Sequence, residues 1–240
     1  MTDLLYMRDN YVKEFEAVVK TVTKDSIITN RSAFYPEGGG QVGDKGFFEN
    51  SDSRMEVVNT KRRNREVHHI SKDEVPFDPG NKVRGVLDWD RRYELMRFHT
   101  AQHLISRYLQ VNYDLETVGN QIKPGQSRAD YSPIDEFTDE MIGDLEKGIG
   151  DLVSQELDVE IEFMPREKAV EFLEERGYQT RYLDMVPKSV KQFRILLIGD
   201  YDASSCAGTH VRNTREIGCI NIDKTKNVGS GKQRIYFSLT

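Results

Sequence analysis

Apolar and polar residues alternate over short stretches in the first third of the chain, a pattern typical of strands with one buried face. Phe15, Ala17 and Val19 alternate with polar neighbours, and later runs such as Val83–Leu87 are separated by prolines and glycines. Several short strands at this spacing indicate a small barrel or sandwich. We therefore predict a small β-barrel domain over residues 1–88.

After this region the pattern becomes helical. Apolar side chains recur every three or four residues over Leu95–Tyr108, and Asp88 or Asp90 can cap the start of that helix. A second helix is predicted over 139–157, although two glycines weaken its pattern. The remaining predicted elements are a strand at Val159–Met164, a helix at Glu167–Arg176, and strands at Phe193–Ile198, Ile217–Ile222 and Arg234–Leu239. The sequence therefore predicts an α+β domain over 89–240, with helices packed on an antiparallel sheet.

Two pairs of candidate metal ligands share one spacing and lie more than a hundred residues apart. His99 and His103 are one turn apart on the predicted helix, which places their Cβ atoms about 5–6 Å apart. Cys206 and His210 repeat the spacing in a loop rich in serine and glycine. Imidazole nitrogen and thiolate sulfur are ligands that zinc prefers. We therefore expect one zinc ion per chain, although either pair alone would be equally compatible with buried core residues.

Composition narrows the class of protein. The chain has no apolar run near the roughly 20 residues of a membrane span, and its acidic start lacks the features of a signal peptide. Two cysteines, one in the candidate metal motif, provide no disulfide framework. We therefore expect a cytoplasmic protein without a membrane partner. Cys219, which lies in an apolar run, is expected in the core.

A net charge of −6 argues mildly against nonspecific nucleic-acid binding. Basic residues nevertheless form three clusters, which are either solvated surface charge or sites of a transient RNA contact. The clusters are Lys61, Arg62, Arg63 and Arg65; Arg91, Arg92 and Arg97; and Lys224, Lys226, Lys232 and Arg234.

The segment Pro36–Gln41 contains three successive glycines, which permit a tight turn or close approach of a partner to the main chain. It is not a nucleotide-binding P-loop, since no Gly-Lys-Ser/Thr follows. Together with His99–His103 and Cys206–His210, it has the order and spacing of the alanyl-tRNA editing proteins, and the whole chain resembles their medium-length form. That family is related to the editing domains of alanyl- and threonyl-tRNA synthetases. Ala207 and Arg215 stand where the family often has glycine.

The resemblance implies zinc-dependent hydrolysis of the ester bond in mischarged tRNA(Ala), chiefly seryl-tRNA(Ala), with glycyl-tRNA(Ala) as a second candidate. It also implies a polar pocket near the metal-bearing helix, in which we expect Thr100, Gln102 and Gln121 to take part in catalysis. A surface or structural hydrogen bond explains each of these residues equally well. Further contacts to the substrate or tRNA are expected from Gly38, Gly39, Gly40, Gln41, Asn120, Arg128 and Asp130.

Two alternative functions stay open. The chain could be an RNA-binding accessory factor whose zinc only stabilises the fold, or it could edit another mischarged tRNA such as Ser-tRNA(Thr). A peptidase of the His-Glu-x-x-His type is disfavoured, because Thr100 occupies the position of the general base. The sequence does not choose between a monomer and a homodimer, or between a catalytic and an orienting role for zinc.

Overall fold

The computed structural model describes residues 2–178, 180, 183, 186 and 190–240. It divides into two compact units, Met1–Met96 and Arg97–Thr240. The predicted domain limits of 1–88 and 89–240, and the functions attached to them, stay a prediction.

Helices and antiparallel sheets are combined in the chain, as predicted. The helices found in the described residues are α1 (Trp89–Tyr113), α2 (Asp139–Ser154) and α3 (Arg166–Glu175). None of the helices that could be described is long and apolar enough to cross a membrane.

The first unit is built from short strands. They are β1 (Asp3–Leu4), β2 (Glu14–Val22), β3 (Ser26–Thr29), β4 (Arg31–Ser32), β5 (Gly46–Glu49), β6 (Arg54–Val57), β7 (Asn59–Arg63), β8 (Glu66–Ile70) and β9 (Lys82–Leu87), with a short 3-10 helix at Leu5–Met7. Apart from β1 and β4, which pair in parallel, the strands form one sheet in the order β6-β5-β9-β2-β3-β8-β7.

The predicted closed barrel is not confirmed, because this sheet is open in the described part of the chain. Its two edge strands, β6 and β7, are separated only by Val58, whose amide donates to the carbonyl of Ile70 at 2.8 Å. The chain thus passes directly from one edge of the sheet to the other. The sheet must curve for its edges to meet there, but no ladder of hydrogen bonds joins β6 to β7 in the described residues.

The side chains that alternate on β2 line the core of the first unit, as the period-two pattern predicts. Phe15, Ala17 and Val19 are all buried. The Phe15 ring meets Phe48 edge-on with centroids 5.8 Å apart, and Phe34 stacks on Phe48 at 5.3 Å. Such aromatic pairs contribute about 0.5–1.5 kcal/mol each beyond the apolar area that they bury.

Arg92 corrects the interpretation of the second basic cluster as solvated charge, because its side chain is fully buried. Its guanidinium pairs with the buried carboxylate of Asp44. It also donates to the carbonyls of Asn10 at 3.1 Å and Ala33 at 2.6 Å. A charge can be buried in this way because it is both paired and hydrogen-bonded.

In the second unit two antiparallel sheets accompany the helices. Its strands are β10 (Glu116–Gln121), β11 (Ser127–Ser132), β12 (Val159–Pro165), β13 (Gln192–Ile198), β14 (Asp202–Ser205), β15 (Ile220–Gly229) and β16 (Lys232–Leu239), with a 3-10 helix at Thr214–Ile217. The sheet orders are β10-β11-β16-β15 and β12-β13-β14. One face of the four-stranded sheet packs on α1, where the rings of Phe98 and Phe237 lie 5.7 Å apart.

Gly148 weakens the helical pattern of α2 but has a packing role. A Cβ atom at this position would overlap the ring of Tyr108 on α1. The Tyr108 hydroxyl in turn donates to the Asp144 carboxylate at 2.9 Å. The glycine therefore lets the two helices approach, at a helix-propensity cost of about 1 kcal/mol relative to alanine.

Cys219 is exposed, so the prediction that it lies in the core is wrong. The apolar run around it is not one strand: Ile217 ends a 3-10 helix, and Gly218, with φ of 76°, turns the chain before β15. Cys219 then pairs with the last residue, donating its amide hydrogen to the carbonyl of Thr240 at 3.1 Å.

Candidate functional site

His99 and His103 lie one turn apart on α1, with ring centroids 5.4 Å apart and ring planes inclined by 28°. The helix is fixed by its apolar side, on which Leu95 and Leu104 are fully buried. Because the histidines share that periodic stretch, they also point towards the interior, and His99 is buried. The spacing predicted from the sequence therefore produces one two-histidine surface.

The second pair comes from the loop after β14. Cys206 is fixed by β13: its amide donates to the carbonyl of Arg194 at 3.2 Å, and its carbonyl accepts from the Arg194 guanidinium at 2.5 Å. Arg194 is buried within the strand predicted at Phe193–Ile198. His210, four residues on, is also buried. Ala207 is not among the residues with a left-handed backbone, which explains why alanine is tolerated there.

The ligand atoms of His99, His103, Cys206 and His210 all lie within 4.8 Å of one another. The Cys206 sulfur is 3.2 Å from Nε2 of His210 and 3.6 Å from Nε2 of His99. The bond lengths of tetrahedral zinc place its ligand atoms roughly 3.3–3.8 Å apart. Three imidazoles and one thiol of this geometry therefore fit a metal ion, and their chemistry suits zinc.

Two side chains of β14 contact the His103 ring on the side away from the cluster. Its Nδ1 lies 3.1 Å from the hydroxyl of Ser204 and 3.4 Å from the carboxylate of Asp202. Burial opposes the protonated form, but the hydrogen bond to Asp202 and the nearby Cys206 outweigh it and raise the pKa of His103 to about 10. With Nδ1 engaged in this way, Nε2 is the nitrogen left to face the cluster.

Thr100 supports His210 in a similar way. Its buried hydroxyl lies 3.3 Å from Nδ1 of His210 and accepts a hydrogen bond from the amide of Val211 at 3.3 Å. If His210 donates through Nδ1, the lone pair of its Nε2 faces Cys206. Thr100 thus contacts a candidate ligand and has the geometry of a positioning residue.

The charges of the cluster follow from burial and proximity. Burial raises the pKa of the Cys206 thiol, but His99 and His210 lower it more, so the pKa falls well below its usual range. Burial lowers the pKa of His210 well below its usual range, although Cys206 opposes that shift. A thiolate and a neutral imidazole are the protonation states that bind a metal ion.

Comparisons with known proteins connect this site to one family. Residues 5–91 match the family model described as tRNA synthetases class II (A), and residues 193–236 match the model described as threonyl and alanyl tRNA synthetase second additional domain. The alanyl-tRNA editing protein AlaX-M of Methanosarcina barkeri is 36% identical over 245 residues, covering 100% of this chain and 99% of that protein. The chain belongs to the alanyl-tRNA editing protein family.

Two longer relatives contain the same module. The alanyl-tRNA editing protein AlaX-L of Pyrococcus horikoshii is 35% identical over 244 residues, which are 95% of this chain and 56% of that protein. An alanine–tRNA ligase of Saccharolobus islandicus is 35% identical over 241 residues, which are 98% of this chain and 26% of that ligase. Membership indicates a role in alanyl-tRNA editing, with tRNA as the partner.

The structure brings three of the expected polar residues to the side of the sheet that faces α1. Thr100 and Gln102 lie on α1 itself, and both are buried. Asn120 on β10 donates to the Gln102 amide oxygen at 3.3 Å, and Gln102 donates to the hydroxyl of Ser106 at 2.6 Å. Gln102, Asn120 and Ser106 form a connected polar network beside the turn of α1 that carries the two histidines, whereas Thr100 contacts His210 instead.

Three other expected residues lie on the opposite face of the same sheet. Arg128 donates to the amide oxygen of Gln121 at 3.3 Å and lies 3.7 Å from the Asp130 carboxylate. Their strand partners place them on the face that points away from α1. The structure therefore does not bring them to the His/Cys cluster, and their assigned roles stay predictions.

The glycine motif of the editing protein forms a closed loop in the first unit. Gly38 and Gln41 exchange two main-chain hydrogen bonds of 3.0 and 2.9 Å, and the Tyr35 hydroxyl donates to the Gly38 carbonyl at 2.7 Å. Gly39 and Gly40 have φ of 55° and 83°, which favour glycine. Gln41 is only 1% exposed, so the loop presents its glycine main chain to solvent. A tRNA contact by this motif stays a prediction.

Sequence reasoning missed Asp202, Ser204 and Arg194, which support His103 and Cys206. Asp202, Ser204 and Cys206 alternate along β14 and its exit, so a period-two pattern could have placed both on the ligand side. Arg194 carries no such signal, because a single arginine in an apolar run gives no indication of what it contacts.

Proposed function

We propose that the protein removes serine from mischarged tRNA(Ala) by hydrolysing the ester bond, as an enzyme that edits in trans. The convergence of the His99, His103, Cys206 and His210 donor atoms, in a member of this family, is the observation that carries the proposal. A synthetase pocket built for alanine rejects serine and glycine only weakly, so a second hydrolytic site supplies the missing discrimination. Glycyl-tRNA(Ala) is therefore the second proposed substrate.

We infer that one zinc ion per chain is held by these four side chains. Zinc, when bound, polarises an ester carbonyl, activates a water or orients the substrate. Asp202 and Thr100 fix the rings of His103 and His210, so they act as positioning residues. The amides of Gln102 and Asn120 are assigned to the substrate side of this pocket. A catalytic contact by Gln102 stays part of the proposal, whereas Gln121, which lies on the sheet face that points away from the cluster, is left out of it.

The decisive experiment compares three aminoacylated tRNAs with the zinc-loaded protein. Ser-tRNA(Ala) should be deacylated fastest, Gly-tRNA(Ala) should also be deacylated, and Ser-tRNA(Thr) should be a poor substrate. A binding factor with a structural zinc would retain Ser-tRNA(Ala) without releasing serine. A threonyl-type editing enzyme would prefer Ser-tRNA(Thr). Either result would refute the proposal.

The chain offers a matched pair of cysteine variants for testing the metal. Cys206→Ala removes a candidate ligand, whereas Cys219→Ala removes an exposed thiol. Metal content, melting temperature and deacylation rate are measured for both. Cys206→Ala should lose zinc and hydrolysis, and Cys219→Ala should retain both. If Cys206→Ala loses zinc but keeps the wild-type rate, the metal has no part in the reaction.

A further inference from the structure

The outward face of the four-stranded sheet in the second unit carries basic side chains around a single tyrosine. Along β16, Ile235 and Phe237 are buried against α1, whereas Arg234 and Tyr236 alternate with them and point outwards. The strand register aligns these outward residues with cations from both neighbouring strands. We define the basic sheet face as Arg128, Lys224, Lys226, Arg234 and Tyr236.

The ring of Tyr236 lies at the centre of this face. Lys224 lies directly opposite it on β15 and places its ammonium 4.7 Å from the ring centroid. The Arg234 guanidinium lies 5.8 Å from the centroid and donates to the Tyr236 hydroxyl at 3.4 Å. Asp130 fixes this guanidinium with two hydrogen bonds of 2.6 and 2.9 Å. The result is an aromatic ring flanked by cations, one of which is held rigidly.

The local charge of this face is opposite to that of the chain. Its four cations are accompanied by two carboxylates, Asp130 and Asp223, of which Asp223 accepts from the Ser238 hydroxyl at 2.6 Å. The difference is a surplus of two positive charges within a chain of net charge −6. Lys224 and Lys226 are exposed on β15, so a partner can reach both.

We propose that the basic sheet face binds the tRNA, with its cations on RNA phosphates and the Tyr236 ring on a base or ribose. The inference rests on the proposed function, because that function makes tRNA the substrate. RNA combines a regularly charged backbone with flat bases that stack on aromatic side chains. The mixture of cations and a half-buried aromatic ring on one sheet face matches both features.

The test uses uncharged tRNA(Ala), so that no turnover occurs during binding. The dissociation constant is measured against KCl concentration for Lys224→Ala/Lys226→Ala and for Lys147→Ala/Lys168→Ala. The second variant removes the same charge from exposed helical positions of the same unit. Each phosphate contact contributes about 0.7–0.9 to the logarithmic salt slope, so the first variant should lose about 1.5. The control should keep the wild-type slope, and Lys224→Arg/Lys226→Arg should restore it.

Tyr236→Leu separates stacking from charge. It should weaken tRNA binding several-fold while leaving the salt slope unchanged, because no charge is removed. Melting temperatures establish that each variant is folded. If the lysine variant and its helical control have the same slope and affinity, the basic sheet face does not bind tRNA.

Deacylation of Ser-tRNA(Ala) by the same proteins distinguishes failure of this inference from failure of the proposed function. A docking role predicts that Lys224→Ala/Lys226→Ala raises KM and leaves kcat near the wild-type value. If the wild-type protein deacylates Ser-tRNA(Ala) and the lysine variant matches its control, this inference alone is wrong. If the wild type does not deacylate but the salt slope still depends on the two lysines, the face binds RNA and the proposed substrate is wrong.

Discussion

Removing the buried guanidinium of Arg92 should destabilise the first unit far more than removing a surface arginine. Arg92→Leu keeps most of the buried volume but leaves the Asp44 carboxylate, which is 1% exposed, without its cation. The carbonyls of Asn10 and Ala33 lose a hydrogen-bond donor at the same time. The variant therefore creates a buried charge whose remaining side-chain hydrogen bond, within the described residues, comes from the Tyr35 amide at 2.6 Å.

The expected magnitude follows from these contacts. Breaking a buried ion pair by removing one partner costs about 3–5 kcal/mol, and the two carbonyls add about 1 kcal/mol. The free energy of unfolding should thus fall by about 4–6 kcal/mol, a large part of the 5–15 kcal/mol typical of a domain. Arg92→Leu/Asp44→Asn should regain part of this loss, because the buried group is then neutral.

Trp89 provides the assay, since it is the single tryptophan of the chain and belongs to the first unit. Its ring stacks on Tyr93 with centroids 5.9 Å apart, so its fluorescence should change when this unit unfolds in urea. The control is Arg8→Ala, which removes an exposed ion pair with Asp3 and should cost about 0–1 kcal/mol. If Arg92→Leu loses no more stability than this control, the buried pair does not stabilise the unit and the reasoning fails.

Three further predictions concern histidines. Asp202→Asn should weaken zinc binding about 10–100-fold in chelator competition, because the carboxylate orients His103. An unchanged zinc affinity would show that Asp202 does not support the site. Thr100→Val should weaken zinc binding less, because it removes only the contact to His210, and the deacylation rate should fall only as the metal content falls. Loss of hydrolysis at full zinc occupancy would instead indicate a direct role of Thr100 in the reaction. Burial lowers the pKa of His69 to about 4 in the folded chain. Between pH 6.5 and 4 the unfolded chain therefore binds a proton that the folded chain does not. The first unit should lose about 3 kcal/mol of stability over this range. Urea midpoints that do not change over this range would contradict it.

Each pair of candidate ligands was predictable because the spacing within the pair is local. Two residues four apart on a helix must share a face, which places His99 beside His103 whatever the tertiary structure. The strand content of the first unit was predictable for the same reason, since Phe15, Ala17 and Val19 alternate. That Cys206 lies 3.6 Å from His99, across more than a hundred residues, depended on recognising a matching pair and a family resemblance.

The differences between prediction and structure have separate physical causes. Closure of the barrel depends on how β6 and β7 meet at Val58, which strand count does not determine. Cys219 was misplaced because Gly218 interrupts an apolar run that composition alone treats as continuous. The burial of Arg92 could have been predicted from its spacing to Leu95. Arg92 precedes Leu95 by three residues and so lies on the buried side of α1. Its partner, Asp44, could not be found without the fold.

The geometry around Cys206 is also that of a thiolate beside an imidazole, as in a cysteine nucleophile. Such a nucleophile needs one histidine as its base and a sulfur open to the substrate. Here Nε2 atoms of His99 and His210 both face the sulfur, and His103 completes a set within 4.8 Å. If His210 donates to Thr100 through Nδ1, its Nε2 directs a second lone pair towards the thiolate. Several lone pairs that converge on one point need a positive charge between them, either a proton on His103, whose pKa is raised to about 10, or a metal ion. A metal ion, which accepts from all four atoms at once, satisfies this arrangement better than a single shared proton does.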